Sequence, residues 1–119
     1  MLNVNLCQIK EYVESLARKE RVKSFYPQTV SRKLGIPLEL VVIELPKLVN
    51  EGLIELKYEI RCDELHTLET VDNYMDYLNN DLFCNICGEQ IEIEYSNIYP
   101  IYYINDEYKE FLKKNKKIM

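Results

Sequence analysis

At 119 residues the chain has room for one compact domain or two small lobes sharing a core. A hydrophobic share of 47% with 29% charged residues excludes global disorder, and no apolar run approaches the roughly eighteen residues of a membrane span. The net charge of −5 is unevenly spread: residues 1–50 carry +3, residues 51–112 carry −12, and residues 113–119 add four lysines. Contact with nucleic acid is therefore expected only from the N-terminal half or the tail, because the acidic half repels phosphates.

The first six residues hold no Lys or Arg and no small-residue cleavage site, so the expected location is cytoplasmic. In that compartment the cysteines at 7, 62, 84 and 87 read as thiols or metal ligands, not as a disulfide framework.

Leu6, Ile9, Val13 and Leu16 recur at spacings of three and four, which predicts an amphipathic helix over about residues 5–20. Arg18, Lys19 and Arg21 at its end suit the negative pole of the helix dipole. Pro27 opens a second, short helix, and Gly35 closes it. Pro37 opens a third that runs to Asn50 and stops at Gly52, with Pro46 expected to kink it or shorten it near residue 45. Leu53 to Ile60 alternates as a half-covered strand does, and a bend near Lys57 would divide it in two.

Leu68, Val71, Met75 and Leu78 keep helical spacing, so residues 66–80 read as a loop with a short helix. Ile91, Ile93 and Tyr95 alternate with Glu92 and Glu94 as a half-buried strand. Ser96 and Asn97 mark a turn, and Ile101–Ile104 returns as that strand's partner. A short helix over Glu107–Leu112 and a frayed Lys-rich tail end the chain.

Helix, short helix, turn, longer helix and hairpin is the layout of a winged-helix domain, and the run Gln28–Pro37 resembles that superfamily's helix-turn-helix core. The expected fold is thus α+β: a winged helix-turn-helix over residues 1–61, then a small zinc-ribbon-like β lobe over 62–119.

Two cysteines two residues apart, Cys84 and Cys87, with Gly88 directly behind them, form half of a metal site. Cys62 and His66, four residues apart, are the best candidates for the other half. Asp63, Glu64 and Cys7 compete with His66 for the fourth place. Cys62, His66, Cys84 and Cys87 together would fill a tetrahedral zinc, leaving no water to activate, so the metal is expected to be structural. Against that reading, Cys62 could be a small buried hydrophobe, His66 an exposed loop residue, and Cys84–Cys87 a redox couple. Phosphate loops, dinucleotide fingerprints and a His–nucleophile motif are missing, so no enzymatic activity is expected.

The third helix would present Leu38, Val42, Ile43 and Lys47 outward, an apolar surface with one useful donor. That is poor chemistry for base edges and better suited to a protein partner, unless Val42 and Ile43 pack beneath the metal lobe of the same chain. Arg18, Lys19, Arg21, Lys23, Arg32 and Lys33 sustain the alternative of a DNA-binding regulator contacting phosphates, or simply form a solvated basic face.

A winged helix joined to a zinc ribbon is similar to the alpha subunit of the eukaryotic basal transcription factor E and its archaeal counterpart. The matching segments are Gly35–Leu56 and Cys84–Gly88. The resemblance implies an adaptor acting mainly through protein contacts, with DNA as a secondary partner. The chain departs from it at the first knuckle, Cys62-x3-His66 in place of a second Cys-x2-Cys. It departs again in placing the ribbon almost directly after the wing. The expected function is a non-catalytic, zinc-binding adaptor or regulatory subunit of a larger assembly.

Overall fold

A computed structural model describes residues 2–115. Within them the architecture is α+β, with four α-helices and antiparallel β-structure.

The first helix, α1, spans Val4–Ala17 and starts where Asn3 Oδ1 accepts the Leu6 N–H at 3.0 Å. Ile9, Val13, Leu16 and Ala17 line its buried face. The Lys109 ammonium donates to the helix's final carbonyl, Ala17 O, at 3.3 Å and to Lys19 O just beyond the helix at 2.8 Å. A two-residue strand, β1 (Ser24–Phe25), precedes α2 (Pro27–Leu34). Proline at the first position starts α2, and Gly35 in the left-handed conformation (φ 69°) ends it.

Helix α3 runs over Leu38–Asn50 with Pro46 inside it, so of the two expected effects, a kink or a shortening, the shortening does not occur. Pro46 lies on the exposed side, as does Val42, whose carbonyl loses its helical partner, and water can replace the missing bond there. Val41, Leu45 and Leu48 are fully buried on the opposite face.

Strand β2 is one continuous run, Ile54–Arg61, with no division at Lys57. Residues 67–71, expected near a helix, form strand β3 (Thr67–Val71), which pairs antiparallel with β2. Two threonines and a valine favour the extended backbone, and the ladder to β2 satisfies it; Met75, part of the apparent helical spacing, is 58% exposed. Strands β4 (Asp81–Cys84) and β5 (Glu89–Glu92) make a separate two-stranded sheet. A 3-10 turn at Tyr95–Asn97 leads into β6 (Ile98–Ile104). The partner of β6 is not the Ile91–Tyr95 segment: the larger sheet has the order β1-β6-β2-β3. Ser24 faces Tyr103 and Phe25 faces Tyr102, whose rings stack at 5.8 Å.

Helix α4 spans Asp106–Asn115, with Asp106 and Glu107 at its start and Lys113 and Lys114 in its last turn, each sign at its favoured pole. The rest of the expected tail, residues 116–119, lies outside the described residues.

The chain divides into two compact units, and the division lies elsewhere than at residue 61. The first holds the residues up to Leu56 together with those from Tyr102 onward; the second is Lys57–Ile101. The C-terminal segment belongs with the N-terminal helices because Tyr102, Ile104 and Leu112 join their core, alongside Ile9, Val30 and Leu45. The second unit has little apolar interior of its own. Its fully buried aliphatic side chains are Ile60 and Ile93, with Ile101 nearly so, and Cys62 and Cys84 complete it.

Nothing lies within 4 Å of a methyl group added at Gly35, so Gly35→Ala isolates backbone strain from packing. Chemical denaturation should show a loss of about 1–2 kcal/mol with an unchanged denaturant slope.

Candidate metal centre

Each half of the centre sits in the turn of an antiparallel hairpin. Cys62 follows β2 and His66 precedes β3; Cys84 ends β4 and Cys87 lies in the turn before β5. In the first turn the Leu65 N–H donates to Cys62 O (2.9 Å) and the Cys62 N–H to His66 O (3.0 Å). In the second, the Gly88 N–H donates to Cys84 O at 2.7 Å. Both turns need a left-handed residue: Gly88 adopts φ 74° without penalty, whereas Leu65 adopts φ 70° at a cost of about 1–2 kcal/mol. The Leu65 side chain is 57% exposed, so no burial of its own offsets that cost.

The turns bring four ligand atoms within 4.8 Å of one another: the sulfurs of Cys62, Cys84 and Cys87 and a ring nitrogen of His66. His66 Nδ1 lies 3.3 Å from Cys62 Sγ, 3.3 Å from Cys87 Sγ and 3.7 Å from Cys84 Sγ, and the Cys62 and Cys87 sulfurs are 3.7 Å apart. A tetrahedral ion with metal–sulfur bonds of about 2.3 Å and a metal–nitrogen bond of about 2.0 Å would set these edges at roughly 3.5–3.8 Å. All four cysteines are free thiols. The four residues can therefore hold one metal ion. Cys7, exposed on α1, is not among them, and Asp63 is turned to a different bond described below.

Backbone N–H groups point at two of the sulfurs. The His66 N–H points at Cys62 Sγ (3.3 Å) and the Cys87 N–H at Cys84 Sγ (3.4 Å). The bond from Cys87 is the main reason the Cys84 thiol ionises below its ordinary value. Cys87 behaves oppositely: loss of solvent, with the Cys62 and Cys84 sulfurs beside it, pushes its pKa up to about 12. For all three sulfurs to ligate as thiolates at this distance, a cation must lie between them.

Asn97 was legible in the sequence only as a turn residue. In the structure its buried side chain donates to Arg61 O (2.9 Å) and Asp63 Oδ1 (3.2 Å), and accepts the Glu94 N–H (2.9 Å). It thus holds the Arg61 carbonyl on one side of Cys62 and the Asp63 carboxylate on the other. A local pattern could not reveal this, because the bonds cross more than thirty residues.

The other sequence-predicted residues are not among the four that could ligate a metal. Leu38, Val42 and Ile43 on α3 are 37%, 47% and 58% exposed. Lys47 is exposed too, but its ammonium is held 3.1 Å from both oxygens of Glu44. Arg18, Lys19, Arg21, Lys23, Arg32 and Lys33 are all exposed, and Arg18 pairs with Glu14 at 3.4 Å. A cleft of about 770 Å³ lined by α1 and α4 mixes Arg18, Lys23 and Lys109 with Glu14, Glu20 and Glu110, so it offers no field of one sign.

No helix among the described residues is long and apolar enough to cross a membrane. No protein-family model, curated protein or solved structure matches the chain.

Metal titration should give one ion per chain. Because Cys87 keeps its proton up to a pKa of about 12 in the metal-free protein, binding near neutral pH must release at least that proton. The apparent affinity should accordingly rise by about tenfold or more per pH unit between pH 6 and 8, and fall on acidification. Calorimetry in buffers of different ionisation enthalpy would count the protons. Asn97→Ala leaves all four ligands intact, yet should weaken metal binding about 10–100-fold in competition with a chromophoric chelator.

Proposed function

We propose that this protein is a non-catalytic, zinc-stabilised winged-helix adaptor or regulatory subunit that works through protein contacts in a larger assembly. One observation carries the reading: α3 buries Val41, Leu45 and Leu48 while leaving Leu38, Val42 and Ile43 open to solvent. Scattered exposed aliphatics are ordinary, but three on one short helix form a patch that association would cover. Leu38, Val42 and Ile43 have no group that reads base edges, α3 holds no arginine, and its one cation, Lys47, is held by Glu44.

The winged-helix reading draws support from the order helix, short strand, helix, helix, strand and strand in the first unit. It also draws on the pairing of β1 with the last strand, β6. On this reading β2 and β6 form the wing, and the metal-ligating turns lie in the residues 62–97 that connect them. Zinc is the ion we assign to the centre, since three thiolates and one imidazole in tetrahedral reach suit a borderline-soft ion with no geometric preference. With every position taken by protein, its role is to hold the two hairpins together.

The test is isolation of the complex formed by the tagged full-length protein in its native host, followed by the same isolation with Ile43→Lys. Ile43 is solvent-exposed, so the variant should keep the fold and its metal while losing most of the bound partner. An undiminished complex, or tight and salt-sensitive binding of the purified protein to duplex DNA, would favour a DNA-binding regulator using the exposed basic residues.

A further inference from the structure

The second unit contains a cleft of about 420 Å³ lined by Met75, Leu78, Asn79, Glu94 and Tyr95. Its walls are pinned. The Asn79 N–H donates to Ile93 O at 2.8 Å and the Ile93 N–H returns to Asn80 O at 2.9 Å, while Asn79 itself is held at φ 65°, a left-handed conformation. Tyr95 is 68% exposed, yet its ring is not loose. It meets Tyr74 edge to face at 6.1 Å, and Tyr74 meets Tyr58 of β2 the same way at 4.7 Å. Met75, 58% exposed, supplies an adaptable apolar wall, and the Glu94 carboxylate stands at the rim, where it accepts the Asn97 N–H.

Charge decides what such a cleft can take. Lys57–Ile101 carries ten carboxylates against two cations, Lys57 and Arg61. Both cations are already paired inside the unit, Lys57 with Asp72 at 2.7 Å and Arg61 with Glu59 at 2.6 Å. Anions are repelled from this surface, and a cation finds a field that attracts it.

We propose that the cleft receives a Lys or Arg side chain projecting from a basic segment of a protein partner. The aliphatic stem lies along Met75 and Leu78, the charged head sits over the exposed Tyr95 ring, and Glu94 accepts its hydrogen bonds. This contact is distinct from the α3 patch and rests on the adaptor reading only in taking the partner to be a protein.

The experiment measures binding of a fluorescent Lys/Arg-rich nonapeptide, and of its Glu-substituted control, to the metal-loaded full-length protein by anisotropy at low and moderate salt. The basic peptide should bind and the acidic one should not. Tyr95→Ala should weaken binding about fivefold or more, Tyr95→Phe should keep it, and Met75→Lys, at an exposed position, should weaken it by like charge without disturbing the fold. Metal content reports folding of each variant. Asp81→Asn removes an exposed carboxylate outside the cleft and should change affinity less than Glu94→Gln. Equal effects of those two, undiminished binding to both Tyr95→Ala and Met75→Lys, or no binding to wild type at low salt would overturn the proposal. Ile43→Lys should leave peptide affinity unchanged, so failure at α3 and failure at the cleft are told apart.

Discussion

The convergence of three sulfurs and one imidazole nitrogen is the constraint on which the second unit depends. Lys57–Ile101 buries few aliphatic side chains, and two of its most deeply buried residues are the ligands Cys62 and Cys84. Apolar burial of that size does not offset the conformational entropy of ordering the segment. A structural metal contributes on the order of 10–16 kcal/mol in small peptide systems, as much as the whole stability of an ordinary domain. Neighbouring features answer to the same requirement. Leu65 accepts a costly backbone conformation, Gly88 supplies the matching one freely, and Asn97 holds the Arg61 carbonyl and the Asp63 carboxylate that flank Cys62.

The first unit is stabilised by different means. Its helices bury aliphatic stripes around Ile9, Val13, Val30, Leu45 and Leu48, and the C-terminal strand and helix close that core with Tyr102, Ile104 and Leu112. Helix ends are finished by local chemistry: Asn3 at the start of α1, Lys109 at its end, Gly35 after α2. These bonds leave α3 free to hold one face inward and another outward. The apolar outer face is therefore not required by the core.

Features that depend on a few neighbouring residues were legible in the sequence. The stripe of α1, the proline and glycine bounding α2, and the Cys84–Cys87 turn all follow from local spacing and backbone preference. Long-range pairing was not. β1 has two residues and no periodicity to detect, and β6 finds its partners in β1 and β2, not in the nearer β-segment at Glu89–Glu92. β3 was misread because Leu68, Val71, Met75 and Leu78 happen to fit both a helical spacing and a strand followed by turns. Of the centre, the ligand types and spacings were visible, whereas the brace from Asn97 and the strain at Leu65 required three dimensions.

The stretch that separates β2 from β6, residues 62–97, has a consequence for the order of assembly. β2 and β6 are neighbours in the sheet, so an unstructured stretch would have to close as one long loop before they could pair. An ion gathering its hairpins would shorten that loop and offset part of the closure entropy. Pairing of β6 with β1, distant in the chain, then becomes accessible, and with it the seating of α4. An ion held in that stretch would on this topology favour the closing of a sheet edge that carries none of its ligands.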